Sequence, residues 1–231
     1  MRRYEYTIKS ADYLSCLLSE YQWLKLLKTQ NKAYDLLLDY LIELGEYEFS
    51  EKNYSKNKRQ INNIATELNC KYFHIAKWLP EIYNDIFTLN EEKPELFHQE
   101  NFYKYTLSFS TRYDYFYGFQ LWLPVVLNRY DTFIFNFIKG KVNETYFWVE
   151  DISYTHEYGK SCYQVDLKGG YFNSYRELLL EKVKFMNAIS LHDLIESSEY
   201  DLDDKLREYE RSGHIRESEE SLQKRRKNRI W

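Results

Sequence analysis

Glycine and proline are scarce in this chain of 231 residues, at seven and three, which excludes collagen-like and low-complexity architectures. Cysteine is scarcer than a disulfide framework needs. Cys16, Cys70 and Cys162 are odd in number and far apart, with no CxxC pair, so neither a staple network nor a clustered zinc site is expected. No apolar run approaches the roughly 20 residues that span a bilayer, and Met1 to Tyr6 lack the apolar stretch of a signal peptide. These absences predict a cytoplasmic protein without membrane contact. An excess of positive charge is missing too: the formal net charge is −4, so any polyanion must be held by a local patch. What the chain has in abundance is aromatic residues, 24 Tyr and 14 Phe among them. A coding bias toward Tyr, Phe, Asn, Lys and Ile, as an AT-rich genome produces, accounts for this; so does a recognition surface rich in rigid amphipathic rings.

Apolar residues recur at helical spacing from about Ser10 to Lys28 (Leu14, Leu17, Leu18, Tyr21, Leu24, Leu27) and again from Lys32 to Gly45, where glycine marks a stop. A polar, basic stretch from Phe49 to Arg59 reads as a loop. Short helices are predicted over Gln60 to Leu68 and Lys71 to Leu79, and Pro80 suits the first turn of another that runs to Leu89. Beyond Phe102 the period changes to two. Strands are predicted over 103–110, 115–123, 132–139, 146–153 and 161–168, followed by a helix from Ser174 to Ala188. The implied class is α+β: a helical bundle over 1–94, a mostly antiparallel sheet with a packed helix over 95–190, and a charged helical tail over 191–231.

The segment Ile61-Asn-Asn-Ile-Ala-Thr-Glu-Leu-Asn-Cys-Lys-Tyr-Phe-His-Ile-Ala-Lys-Trp-Leu-Pro80 has apolar Ile64 and Leu68 one turn apart. Ala65 is small where two helices would cross, Asn69 suits a left-handed turn, and Ile75 and Trp78 face inward. In this frame the segment resembles the helix-turn-helix family, with Asn69 where the family usually has glycine. The resemblance implies a second helix that meets DNA in the major groove, with Lys71, Tyr72, Phe73, Ala76 and Lys77 toward bases or phosphates. Lys52, Lys56, Lys58 and Arg59 just upstream, and the terminal basic run including Lys224, Arg225, Arg226 and Lys227, are candidate phosphate contacts. The outward face is aromatic rather than rich in Arg, Asn and Gln. Tyr72 and Phe73 therefore suit stacking on unpaired bases, anchoring a protein partner, or packing in the core.

Two patterns suggest catalysis. Glu150-Asp151 and Asp166-Leu167-Lys168 end successive strands and resemble the PD-(D/E)xK nuclease pattern, in which carboxylates hold Mg²⁺ and lysine assists water, although Glu stands where that pattern has Pro. In the second pattern, His156 and Cys162 approach across the same hairpin, where a chance neighbour is the expectation over a catalytic dyad. The five histidines make no HxxxH or HxH pair, and GxxxxGK[ST], GxGxxG and GxSxG are absent. The expectation is a non-catalytic regulatory protein without cofactor or metal, with DNA or RNA as partner and the sheet as a protein or homodimer surface. The size, coding bias and lack of catalytic motifs are also similar to small phage and mobile-element proteins that inhibit host nucleic-acid enzymes, anti-CRISPR proteins among them.

Overall fold

The apolar stripe of residues 10–28 does not make one straight helix. It divides at Glu20, whose backbone leaves helical geometry (φ −130°, ψ 42°), into α1 (Ser10–Ser19), α2 (Tyr21–Leu24) and a 3₁₀ segment (Lys25–Gln30). The break turns Trp23 and Leu24 into the core alongside Leu14, Leu17 and Leu18. The computed structural model describes residues 8–30, 32–51, 60–111, 116–157, 160–190, 192–193, 197 and 199–212. No helix among them is long and apolar enough to cross a membrane.

Helix α3 (Asp35–Glu51) runs through Gly45 instead of ending there. The glycine is a contact point: a Cβ at this position would collide with the ring of Tyr21. Next come α4 (Ile61–Glu67) and α5 (Tyr72–Glu92). Pro80 lies inside α5 rather than starting a new helix. Its missing N–H leaves the Ala76 carbonyl without a helical partner. The full burial of Leu79, Ile82, Tyr83 and Ile86 on the same helix offsets that cost.

Five strands follow: β1 (Tyr103–Ser110), β2 (Phe116–Leu123), β3 (Thr132–Ile134), β4 (Tyr146–Glu157) and β5 (Lys160–Gly169), with a short α6 (Lys139–Val142) between β3 and β4. The expected long strand over 132–139 is cut to three residues, because the chain turns into α6 once Phe135, Phe137 and Ile138 enter the core. The strand order is β2-β1-β5-β4-β3. Pairing is antiparallel except between β1 and β5, which run parallel in the middle of the sheet. Tyr105, Leu107 and Phe109 of β1, with Val165 and Leu167 of β5, point to the buried side. Ser108, Ser110, Asp166 and Lys168 alternate to the other face.

The protein is α+β, and its chain divides into two compact units, Met1–Tyr171 and Phe172–Trp231. The expected separation near residue 94 is not a break in the core. One hydrophobic cluster takes in α1 to α5 and the buried side of the sheet. Trp23 sits at its centre, 5.0–6.2 Å from the ring centroids of Phe97, Phe119, Phe135 and Phe137. Helix α5 is joined to the strand region by two polar clasps. The Tyr83 hydroxyl donates to the Phe137 carbonyl (2.8 Å). The buried Asn90 side chain both donates to the Gln120 carbonyl and accepts from the Gln120 N–H, each at 2.8 Å. The Asn90 amide thus takes the place of a neighbouring strand at the β2 edge.

Helix α7 (Ser174–Phe185) contributes to a second core within the Phe172–Trp231 unit. Leu180 and Val183 meet Ile189 and Leu202, Leu206 and Tyr209 of α8 (Glu199–Ser212). The Arg176–Asp203 ion pair (2.6 Å) links the two helices. The charged segment from residue 191 is therefore not a free tail as far as Ser212, since the α8 stripe Leu202, Leu206 and Tyr209 is buried.

Candidate nucleic-acid interface

Residues 61–92 do form two helices joined by a tight turn, and the turn is built as the sequence suggests. Asn69 adopts a left-handed conformation (φ 49°). The Cys70 N–H reaches back to the Ala65 carbonyl (2.9 Å) and the Asn69 N–H to the Thr66 carbonyl (3.1 Å). This pair of bonds satisfies the last carbonyls of α4 and sharply redirects the chain. Ile64 and Ile75 are fully buried and Ala65 nearly so, while half-buried Leu68 packs against the same core.

The first turns of α5 then project outward. Lys71 is the exposed N-cap residue, without a side-chain cap, and no acid occupies the first turn. Tyr72 is 50% exposed and Phe73 61%. Lys77 is also exposed and pairs loosely with Glu81 one turn later (3.6 Å), a surface contact worth little. Lys71, Tyr72, Phe73 and Lys77 thus all stand exposed on the first two turns of α5. Ala76 beside them is half-buried. Lys52, Lys56, Lys58, Arg59, Lys224, Arg225, Arg226 and Lys227 lie outside the described residues.

Two side chains of this surface were not anticipated in that role. The His74 ring stacks on Trp78 (5.4 Å, 30°), and Phe73 leans on His74 (4.6 Å, 48°). Trp78 is therefore not a simple inward residue; it is half-buried and supports a row of rings ending at Phe73. The signal was the i, i+4 spacing of His74 and Trp78.

The nuclease pattern is met in register but not in composition. Asp151 and Asp166 are direct partners across β4 and β5, next to a bulge at Glu150. Lys168 lies 3.5 Å from Glu150 and 6.0 Å from the centroid of the Trp148 ring. No group of three or more His, Cys, Asp or Glu side chains able to hold a metal occurs among the described residues. His156 and Cys162 do not form a pair. Cys162 is opposite Thr155 and His156 is opposite Ser161, so the two side chains point to opposite faces of the hairpin.

A cleft of about 360 Å³ lies elsewhere, lined by Ser15, Cys16, Ser19, Asn136, Lys139 and Thr145. Its cation is engaged, because Lys139 contacts Asp12 at 2.9 Å. Burial pushes the Cys16 thiol up to about 11, which leaves it protonated and unreactive near neutral pH. Burial alone also raises Glu20 to about 7. Neither group adjoins the α4–α5 surface in sequence. No protein-family model, curated protein or solved structure matches this chain.

Proposed function

We propose that this is a non-catalytic nucleic-acid-binding protein of regulatory type that uses α4 and α5 as its helix-turn-helix reader. The observation that carries the reading is the start of α5, where two lysines and two exposed aromatic rings follow a tight left-handed turn. Helical protein surfaces that read nucleic acid present such side chains from the early turns of the second helix, with lysines on phosphate and planar groups against bases. A cytoplasmic setting fits the dispersed, odd cysteines.

The test is fluorescence anisotropy with labelled oligonucleotides over a salt series. Binding should weaken steeply with salt, and the double variant Lys71→Ala/Lys77→Ala should bind less well with a shallower salt slope. Unchanged binding in that variant would remove α5 as the reader.

The exposure of Tyr72 and Phe73 favours one other reading, a protein partner such as a host nucleic-acid enzyme held and inhibited through an aromatic anchor. It requires a stoichiometric complex that survives nuclease treatment and is lost in Phe73→Ala.

A further inference from the structure

We infer that the preferred ligand of the α5 surface is an unpaired nucleic-acid strand, one of whose bases stacks on Phe73 while Lys77 neutralises the neighbouring phosphate. This rests on the nucleic-acid reading above and narrows it from a polymer in general to a single strand.

Three observations lead there. The first is what the surface lacks. Reading base-pair edges in a major groove relies chiefly on Arg, Asn and Gln, with Lys limited to guanine. Residues 72–79 are Tyr, Phe, His, Ile, Ala, Lys, Trp and Leu. The one imidazole among them has its ring stacked on Trp78. What remains outward on the first two turns is π-surface and positive charge, with Glu81 loosely paired to Lys77 one turn on.

The second is the rigidity of the ring row. Trp78 is half-buried and packed against the core, His74 stacks on it, and Phe73 rests against His74. An exposed phenyl ring braced from behind offers a flat face at little entropic cost, which base stacking requires. An unsupported ring would have to be ordered on binding.

The third is where the charges stand. Lys77 lies four residues after Phe73, one turn further along the same strip of helix. Lys71 lies four residues before Ile75 and seven before Trp78, on the strip that holds His74 and Trp78. The two lysines are about 9 Å apart along the helix axis, Lys71 on the side of His74 and Trp78 and Lys77 on the side of Phe73. An aromatic base joined to phosphates on both sides matches that alternation of cation and ring. A purely apolar protein segment would offer neither ammonium group an anion, leaving Lys77 only its loose contact with Glu81.

The experiment measures anisotropy of labelled oligo-dT, oligo-U and a blunt DNA hairpin with the whole chain, its Phe73→Leu and Phe73→Trp variants, and the Lys71/Lys77 double alanine variant. Phe73→Leu keeps apolar bulk and helix propensity but removes the π-face. Expected is tighter binding of an unpaired oligomer than of the hairpin, a loss on the order of tenfold in Phe73→Leu, and retention in Phe73→Trp. The dT and U arms identify the sugar that is accepted. If Phe73→Leu binds every probe like the parent while the double alanine variant binds none, the stacking inference is overturned and nucleic-acid binding by α5 stands. Tighter binding of the hairpin than of either single strand overturns it as well. Absence of binding to all three probes at low salt overturns both, and assigns the rings to a protein partner.

Discussion

Helix α5 bears aromatic rings at both ends, and the fold treats the two ends in opposite ways. Toward its C-terminal half, Tyr83 is fully buried and Phe87 half-buried; both lie within 5.4 Å of the Phe137 ring, and Phe87 lies 5.2 Å from that of Phe119. Even the cation there is drawn in. Lys141 stands 4.9 Å from the centroid of Phe87, bonds to the Asn84 side chain (2.7 Å), and has its pKa lowered by burial. At the N-terminal end Tyr72 and Phe73 face solvent, and the lysines beside them are exposed. The residue types are the same. The inner rings are used in cohesion, whereas the outer pair adds little to it.

Breaking the inner end should have the largest effect. Phe137→Ala removes a fully buried ring that touches Trp23, Tyr83, Phe87, Phe119 and Phe135. Cavity formation at such a site costs about 3–5 kcal/mol. Urea titration followed by far-UV circular dichroism should show the midpoint falling sharply, and a loss below about 1 kcal/mol would mean that the rings are not packed as described. Asn90→Ala ranks next. It strips the β2 edge of two hydrogen bonds at Gln120, a loss of about 1–3 kcal/mol. Amide exchange at Gln120 should speed up well before that of the central strands. Equal protection in the variant would show that the Asn90 clasp is not what holds that edge.

The comparison also explains what was readable beforehand. The periodic faces gave the α+β class and most element positions, because burial of one face is a local signal. Asn69 was readable as a left-handed turn, since few residues tolerate that geometry. Gly45 and Pro80 were misleading for one shared reason. Their local meaning, stop and start, was overridden by packing against Tyr21 in one case and by the buried run Leu79 to Ile86 in the other. Nothing local in β5 shows that it inserts beside β1 in parallel, and nothing local in α7 shows that it joins α8. Both are choices among apolar faces that look alike in sequence. At the candidate surface, Lys71, Tyr72, Phe73 and Lys77 were readable as a helical face. The i, i+4 spacing of His74 and Trp78 signals their stacking, but the contact of Phe73 with His74 depends on rotamers that spacing does not encode.

The smallest expected effect is the most discriminating. Phe73→Ser at the outer end removes a large ring that is 61% exposed, and a surface substitution of this kind shifts stability by no more than about 0.5 kcal/mol. Its bracing contact with His74 is the only ring contact it makes among the described residues, so little cohesion is lost. The same titration that falls sharply for Phe137→Ala should therefore leave the Phe73→Ser midpoint almost unmoved, while ligand binding changes. A stability loss comparable to that of Phe137→Ala would join the two ends into one core and assign Phe73 to folding. A neutral result keeps them apart, and leaves an aromatic side chain whose exposure to water gains the fold almost nothing.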